Sequence, residues 1–247
     1  MRIGGFVDMS TIDWYGNVSL VVFFAGCNFR CPYCQNSSLL PLDSGREVEA
    51  EYVRRRMEVG RDLLDSIVIT GGEPLLQPEG LEEVAGLARA LGLKVMLNTN
   101  GSRSEVVERL LEAGLIDRVA LDVKAPFTEE EYSSVVGEKG GALCREVEKT
   151  LEICREIGVE IEVRTTVAPG VSDGPEFIER IATSIKGKCD EYSLQQFDNL
   201  GDVLSPELKA KSPPSRERMM ELAEVALASG LENVSIKTRE MGLERMS

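Results

Sequence analysis

The amino-acid sequence predicts an α/β fold of six successive βα units, arranged as a parallel sheet or a (βα) barrel, complete or partial. Three observations lead to this prediction: apolar strand-like runs alternate with segments of helical periodicity, two strands carry a polar second face, and the residues that carry chemistry follow the strands. In barrels of this type the working groups lie at the C-terminal ends of the strands. No low-complexity tract or long linker interrupts the pattern, so residues 1–247 are predicted to form one domain.

Six segments have the length and apolar content of β-strands. They are Ser19–Ala25, Ser66–Thr70, Lys94–Thr99, Arg118–Lys124, Val159–Val167 and Glu191–Phe197, and Val234–Lys237 is a further strand-like stretch. Between them, apolar residues recur at helical spacing, with proline or serine near the start and in most cases glycine at the end. These predicted helices begin near Pro78, Ser104, Pro175 and Pro214.

The fourth and fifth predicted strands have one apolar and one polar face. In the fifth strand the polar side consists of Glu160, Glu162 and Arg164, and in the fourth it consists of Asp122 and Lys124. Central parallel strands normally have near-continuous apolar sequences because both faces are buried. An edge strand with one face in water would explain a single case, but two such strands favour a lumen that holds a polar ligand.

The composition argues against several classes of protein. Acidic residues number 42 against 28 basic ones, and the net charge of −14 disfavours binding to a phosphate backbone, so no nucleic-acid partner is expected. The chain has no histidine, which removes Ser–His and Cys–His nucleophile pairs and every zinc site that needs imidazole. No signal peptide is recognisable and Leu20–Ala25 is too short to span a bilayer, so we expect a cytoplasmic protein without a membrane partner.

Three of the six cysteines, Cys27, Cys31 and Cys34, follow directly after the first predicted strand. In a reducing cytosol such a cluster indicates metal or redox chemistry rather than disulfides. An iron–sulfur cubane usually takes four cysteines, so three would leave one iron open to another ligand. A zinc site would need a fourth ligand from elsewhere in the chain. Spacing alone leaves both kinds of site open.

Other cysteines and aromatic residues have structural interpretations. Cys144 and Cys154 fall at helical spacing with apolar residues and are predicted to be small core side chains. Cys189 lies in a loop flanked by charged residues and is not predicted to bind metal. Trp14 and Tyr15 are candidates either for a structural anchor near the bottom of the barrel or for contact with a partner.

The CxxxCxxC spacing, with Tyr33 just before the last cysteine, resembles the signature of the radical S-adenosylmethionine (SAM) superfamily. Gly71-Gly72-Glu73, at the end of the second strand, is similar to the family's GGE motif, which binds the amino group of the SAM methionine. A glycine turn lets backbone approach a ligand closely, and Glu73 can pair with an ammonium group. The resemblance implies a partial (βα)6 TIM-type barrel of the radical SAM kind, a [4Fe–4S] cluster on the three cysteines, and SAM as a second cofactor.

Within that superfamily, the chain resembles the activating enzymes of glycyl-radical enzymes. The segments that carry this resemblance are Leu97–Gly101, Leu121–Lys124 and Val163–Arg164. Ile3–Phe6, Ser10–Asp13 and Leu194–Phe197 are similar to the branch that activates anaerobic (class III) ribonucleoside-triphosphate reductase. The resemblance therefore implies an oxidoreductase that reductively cleaves SAM at the cluster and generates a glycyl radical on that partner. A low-potential donor such as flavodoxin or ferredoxin would supply the electron.

The same resemblance implies catalytic roles for the three clustered cysteines and cofactor contacts from residues near the strand ends. Arg164 would bind the methionine carboxylate, and Asp122 with Lys124 would lie near it and near a monovalent cation. The full set of implied cofactor contacts is Tyr33, Gln35, Gly71, Gly72, Glu73, Asn98, Thr99, Asp122, Lys124, Arg164 and Gln196.

Three positions depart from the pattern of pyruvate formate-lyase activase. That enzyme has an aspartate where this chain has Asn98, which removes a charge from the cation site, and histidines where this chain has Gln35 and Asp198. These departures favour the reductase branch. Two alternatives stay open: the activase of a pyruvate formate-lyase-like enzyme, and a radical SAM enzyme that modifies a small molecule, a peptide or RNA. A non-catalytic metal or electron-transfer module is a third interpretation, disfavoured by the GGE motif and the polar lumen.

Overall fold

A computed structural model describes residues 1–246, and this part of the chain forms one ten-stranded sheet. The strands are β1 (Arg2–Ser10), β2 (Ser19–Phe24), β3 (Arg46–Glu47), β4 (Ser66–Gly71), β5 (Lys94–Thr99), β6 (Arg118–Asp122), β7 (Glu160–Val167), β8 (Glu191–Gln196), β9 (Val234–Thr238) and β10 (Gly242–Arg245). Their order across the sheet is β10-β9-β8-β7-β6-β5-β4-β2-β1-β3.

Seven strands, β2 and β4 to β9, are neighbours in the sheet and pair in parallel. The antiparallel strands β1, β3 and β10 lie at the two ends of the sheet. All six predicted strands are present with bounds that agree within two residues, and the strand-like stretch at Val234 is β9. The predicted α/β class is therefore confirmed, and the mostly parallel sheet is compatible with a partial TIM-type barrel.

Helices connect the parallel strands. They are α1 (Ala50–Val59), α2 (Pro78–Ala90), α3 (Ser104–Glu112), α4 (Glu129–Val136), α5 (Glu138–Gly141), α6 (Cys144–Ile157), α7 (Pro175–Ile185), α8 (Pro206–Lys209) and α9 (Arg216–Ala228), with short 3-10 turns at Ser37–Leu39 and Pro74–Leu76. Proline occupies the first turn of α2 and α7, where no backbone donor is needed. The Ser215 hydroxyl caps α9 by accepting from the Arg218 amide.

Strand β1 was not predicted from the sequence. It contains two adjacent glycines, and most of its residues are exposed or half-buried because it lies next to the edge of the sheet. Its apolar content is therefore too low for the pattern that marks a buried strand. The helices α1, α4, α5 and α8 also lacked a sufficient periodic signal.

Apolar side chains pack on both faces of the sheet. On one face, a large cluster joins the sheet to the helices and includes Leu20, Val22 and Phe24, as well as Cys144 and Cys154, which are buried as predicted. The opposite face carries a small cluster formed by Trp14, Val21, Val68, Met96 and Ala120. Four neighbouring strands thus turn alternate side chains toward one tryptophan, as expected where a sheet curves into a partial barrel.

The segment after β1 bridges the open side of this curved sheet. Lys237 Nζ on β9 donates to the Ile12 carbonyl at 2.8 Å, and the Leu243 amide on β10 donates to Tyr15 Oη at 2.8 Å. Trp14, between these two contacts in sequence, is buried. These contacts support the structural interpretation of Trp14 and Tyr15. Within residues 1–246, no helix combines the length and apolar character needed to cross a bilayer.

Candidate functional site

A cavity of about 240 Å³ lies at the C-terminal ends of the parallel strands. Nine of the predicted cofactor contacts line it, as do all three clustered cysteines. These lining residues are Cys27, Cys31, Tyr33, Cys34, Gln35, Gly71, Gly72, Asn98, Thr99, Asp122, Lys124 and Gln196. Strand ends that are distant in sequence are therefore brought together, as the rule for parallel barrels predicts.

Backbone hydrogen bonds fix the cysteine loop that follows β2. The Gly26 and Cys27 amides donate to the carbonyls of Leu39 and Leu40 at 2.7 and 3.1 Å, and the Cys34 amide donates to the Cys31 carbonyl at 3.0 Å. All three cysteines have free thiols, and Cys31 is the most buried of them. The loop therefore presents three thiols to the cavity without a disulfide among them.

Burial makes two of these thiols poor acids in the protein alone. Desolvation raises the pKa of Cys27 to about 12, and that of Cys31 to about 11 although the nearby Lys124 ammonium opposes the rise. A bound metal supplies the positive charge that deprotonates such thiols. Within residues 1–246, no three side chains are gathered for a single metal ion. The three thiols can therefore serve as ligands once a bound cluster supplies that charge.

The Gly71-Gly72 turn lies directly against the cysteine loop. A Cβ atom at Gly71, whose φ is +128°, would lie 2.2 Å from the Phe24 carbonyl oxygen, and one at Gly72 would lie 2.2 Å from the Gly26 carbonyl oxygen. Either contact is far inside van der Waals distance, so only glycine fits. The Glu73 amide donates to the Gly26 carbonyl at 2.7 Å, which joins the turn to the start of the loop.

Glu73 is fully buried and does not line the cavity. Its carboxylate accepts from the Leu75 amide at 3.0 Å, the Thr99 hydroxyl at 2.7 Å and the Asn100 amide at 2.7 Å. Burial raises the pKa of Glu73 to about 7, although these three hydrogen bonds favour its charged form. In this geometry Glu73 links the end of β4 to the loop after β5.

Two buried polar atoms in the cavity wall lack protein partners. Asn98 Oδ1 and Tyr33 Oη are buried without a hydrogen bond to residues 1–246. Lys124 Nζ pairs with Asp122 at 2.8 Å and lies 5.9 Å from the centre of the Tyr33 ring. Burial lowers the pKa of Lys124, but Asp122 and the nearby thiols outweigh it, so the net shift is upward. Unsatisfied buried polar atoms beside a charged pair fit a polar, charged ligand such as SAM.

Arg164, like Glu73, lies outside the cavity wall, whereas Asp122 and Lys124, the other charged residues predicted to contact the cofactor, line it. Its Nε and Nη2 donate to the two Glu162 carboxylate oxygens at 2.8 and 2.9 Å, and both residues line a second, deeper cavity. Burial would raise the pKa of Glu162, but Arg164 and Arg118 lower it to about 2. The polar face of β7 thus faces the lumen as predicted, with much of its charge paired internally.

The structure also adds lining residues that were not among the predicted cofactor contacts. Asn36, Thr70, Asn100, Thr166 and Gln195 line the cavity. Four of these lie at or just after strand ends, so the strand-end rule contains a signal for them, whereas Asn36 gave none. Gln35 and Gln196 line the cavity while their amides are engaged, with the Asp198 carbonyl at 3.0 Å and the Pro214 carbonyl at 2.8 Å.

Known proteins resemble this chain along most of its length. The family model of the radical SAM superfamily matches residues 21–181. A protein of Methanocaldococcus jannaschii, whose name places it among the glycyl-radical enzyme activating enzymes, is 37% identical over 236 residues, which are 96% of this chain and 95% of that protein. The pyruvate formate-lyase-activating enzyme of Clostridium pasteurianum is 30% identical over 206 residues, which are 81% of this chain and 83% of that enzyme.

A solved structure supports the fold. The crystal structure of a radical SAM methyltransferase from Sphaerobacter thermophilus superposes with a TM-score of 0.67 at 20% identity. The match covers 91% of this chain and 67% of the methyltransferase. At this identity the similarity concerns the architecture of the barrel and not the substrate.

Proposed function

The chain belongs to the radical SAM superfamily, whose members bind a [4Fe–4S] cluster and SAM, and we propose that it generates a glycyl radical on a partner enzyme. The observation that carries this proposal is a relative from the glycyl-radical activating enzymes that is 37% identical over nearly the full length of both chains. The cavity adds physical support, because three free thiols, a glycine turn and an Asp–Lys pair share one wall.

Cys27, Cys31 and Cys34 would hold the cluster, and the backbone at Gly71 and Gly72 would approach the SAM methionine. Asn98, Tyr33, Lys124 and the other cavity-wall residues would contact the remainder of SAM, with Glu73 supporting the turn from behind. We also propose a monovalent cation near Asp122. Asn98 would offer it a neutral amide oxygen, where pyruvate formate-lyase activase has a charged aspartate. When bound, the cluster and SAM supply a carbon radical that removes a hydrogen atom from the substrate.

The chain's own task is to position these groups and to exclude water. Removal of a hydrogen atom from a glycine Cα needs no protein acid or base, which agrees with a chain that lacks histidine. In the half-buried Lys124–Asp122 pair, the Lys124 ammonium lies close enough to Cys31 to favour its thiolate. We propose that a low-potential donor such as flavodoxin or ferredoxin delivers the electron.

We propose anaerobic ribonucleoside-triphosphate reductase as the partner. The support is the resemblance of Ile3–Phe6 and Leu194–Phe197 to that branch, together with the departures at Asn98, Gln35 and Asp198 from the pyruvate formate-lyase activase pattern. A pyruvate formate-lyase-like enzyme is the second candidate, because a relative of 30% identity carries that activity in its name.

The test is anaerobic reconstitution of the cluster, followed by addition of SAM, reductant and each purified partner in turn. A glycyl-radical doublet in the EPR spectrum that requires this protein, together with 5′-deoxyadenosine, identifies the partner. Deoxyadenosine without a doublet on either enzyme contradicts the activase proposal. Neither product from protein with an intact cluster contradicts SAM cleavage itself.

Replacing any one of Cys27, Cys31 and Cys34 by Ala should abolish cluster loading. A cubane usually takes four cysteines, so a cluster held by only three needs all of them. Bound iron and sulfide, with the visible absorption spectrum, measure this directly. Cys189→Ala is the matched control, since that thiol is free and half-buried but does not line the cavity. Full iron content in any of the three cluster variants would contradict the assignment.

A further inference from the structure

The Asn100 side chain joins the loop after β5 to the cysteine loop. It lines the same cavity as the three clustered cysteines, and the residue is 5% exposed. Asn100 Nδ2 donates to Asn28 Oδ1 at 3.0 Å and lies 4.0 Å from Cys27 Sγ, within reach of a hydrogen bond to sulfur. An NH2 group has two hydrogens, so it can serve both acceptors at once. Asn100 therefore contacts a clustered thiol without being a ligand itself.

Backbone geometry fixes the orientation of this amide group. Asn100 Oδ1 accepts from the Ser102 amide at 3.0 Å, and a backbone amide can only donate. The oxygen must therefore face Ser102, which leaves the NH2 group toward Cys27 and Asn28. Asn28 holds the arrangement from the other side, because its Nδ2 donates to Ser102 Oγ at 2.8 Å. The sulfur thus faces the nitrogen of Asn100 and not its oxygen.

A second N–H group points at the same sulfur. The Phe29 amide donates to Cys27 Sγ at 3.4 Å. The Asn100 backbone amide donates to the buried Glu73 carboxylate at 2.7 Å, which fixes the position of the residue as well as the orientation of its side chain. Cys27 thus has one donor from its own loop and one from a neighbouring strand end.

Hydrogen bonds to the sulfur ligands are among the factors that set the reduction potential of an iron–sulfur cluster. The reduced cluster carries one more electron than the oxidised one, so its sulfurs are more negative. An N–H donor therefore stabilises the reduced form more than the oxidised form and raises the potential. Contacts around the ligands of a metal site tune the metal as well as orient the ligands.

We propose that Asn100 is a positioning residue that raises the reduction potential of the cluster through Cys27. The proposal rests on the assignment of the cluster to the three cysteines, made above. One electron passes from the low-potential donor to the cluster, and the donor is oxidised by one electron. By stabilising the reduced cluster, the Asn100 amide makes this transfer more favourable. The Phe29 backbone donor cannot be removed by substitution, whereas the Asn100 side chain can.

The experiment is a redox titration of the reconstituted protein without SAM, followed by the EPR signal of the reduced cluster. The variant is Asn100→Leu, because leucine branches at the same atom as asparagine and fills its space, so that water does not replace the lost donor. At a fixed solution potential, the ratio of reduced to oxidised cluster should fall by about threefold to tenfold; a tenfold change corresponds to about 59 mV for a one-electron couple. Asn36→Leu is the matched control and should leave the ratio unchanged, since Asn36 lines the same cavity but donates to the Gly71 carbonyl at 3.4 Å.

An unchanged or higher ratio in cluster-loaded Asn100→Leu would overturn the proposal. An equal fall in Asn36→Leu would overturn it as well, because it would indicate a general loss of polarity in the cavity. If Asn100→Leu does not load a cluster, Asn100→Ser takes its place. The serine hydroxyl can accept from the Ser102 amide but is one bond shorter than the NH2 group, so a fall in the ratio is again expected and an unchanged ratio again overturns the proposal.

This titration is independent of the partner enzyme. A wild-type protein that loads no cluster would contradict the cysteine assignment itself. A wild-type protein that loads the cluster but forms no glycyl radical on a partner would contradict the proposed function, while the effect of Asn100 on the potential would still be measured.

Discussion

Replacement of Glu73 by Gln tests whether this residue supports the glycine turn from behind. The two Glu73 oxygens accept hydrogen bonds from the backbone amides of Leu75 and Asn100, which can only donate. A glutamine offers one acceptor oxygen and one NH2 group, so one of these amides would face another donor. Leaving a buried donor unsatisfied costs about 1–3 kcal/mol. Where Glu73 is protonated, the variant should therefore be less stable by about that amount.

The pH dependence gives the prediction its sign. Burial raises the pKa of Glu73 from 4.5 to about 7, which corresponds to about 3 kcal/mol. The folded state thus binds the proton more tightly than the unfolded state. The stabilisation that the bound proton gives to the folded state is complete below about pH 4.5 and is lost as the pH rises to about 7. The wild type should lose this stability between these values, whereas the glutamine variant has no such proton to lose.

Urea denaturation of the cluster-free protein at about pH 5 and about pH 8 measures the effect. The free energy of unfolding of the wild type minus that of Glu73→Gln should fall by about 3 kcal/mol from the lower to the higher pH, and other titrating groups cancel in that difference. Glu83→Gln is the control, because the Glu83 side chain is exposed on α2 and makes no hydrogen bond within the described residues. A difference that stays constant with pH would refute the proposed protonation of Glu73.

Three further predictions follow from distances and burial. Gly72→Ala should abolish SAM binding in equilibrium dialysis, because its Cβ would lie 2.2 Å from the Gly26 carbonyl oxygen. Gly86→Ala, inside α2 with open space around the new methyl, should instead raise the unfolding free energy by about 0.5–1 kcal/mol in the same urea assay. Arg118→Met should lower that free energy by about 3–5 kcal/mol, since it removes one partner of a buried pair. The two arginines hold the carboxyl pKa of Glu162 at about 2. The contribution of these ion pairs to stability is therefore complete above about pH 4.5 and is lost as the pH falls toward 2. Acid unfolding of Arg118→Met that matches the wild type would count against the pair.

The parallel strands were predictable because their signal is local. Six short apolar runs bounded by turn residues suffice to place β2 and β4 to β8, and the strand-end rule then brings the cysteines, Gly71 and Lys124 to one edge. Burial of Cys144 and Cys154 followed from helical spacing in the same way. In each case the position of a residue along its own element determines the face it occupies.

Side-chain direction was less predictable, because it depends on neighbours from other strands. Arg164 shares a face with Glu162, and the alternation shows this, but only the sheet order shows that Arg118 also pairs with Glu162. The contacts between the loop after β8 and the cysteine loop left no trace in the sequence. The Leu204 amide donates to the Cys34 carbonyl at 3.0 Å and the Ser205 amide to the Pro32 carbonyl at 2.9 Å, and backbone contacts of this kind have no residue pattern.

The position of the cysteines depends on buried residues that join three strand-end loops. The Glu73 amide donates to the Gly26 carbonyl, and the Glu73 carboxylate accepts from the Asn100 amide. Asn100 Nδ2 in turn donates to Asn28 Oδ1 at 3.0 Å, inside the cysteine loop. The hydrogen bonds thus run from the loop after β2 to those after β4 and β5 and return to the first. The Glu73 carboxyl group therefore helps to fix the cysteine loop although it does not line the cavity, and a site whose ligands must hold a cluster needs such supporting contacts.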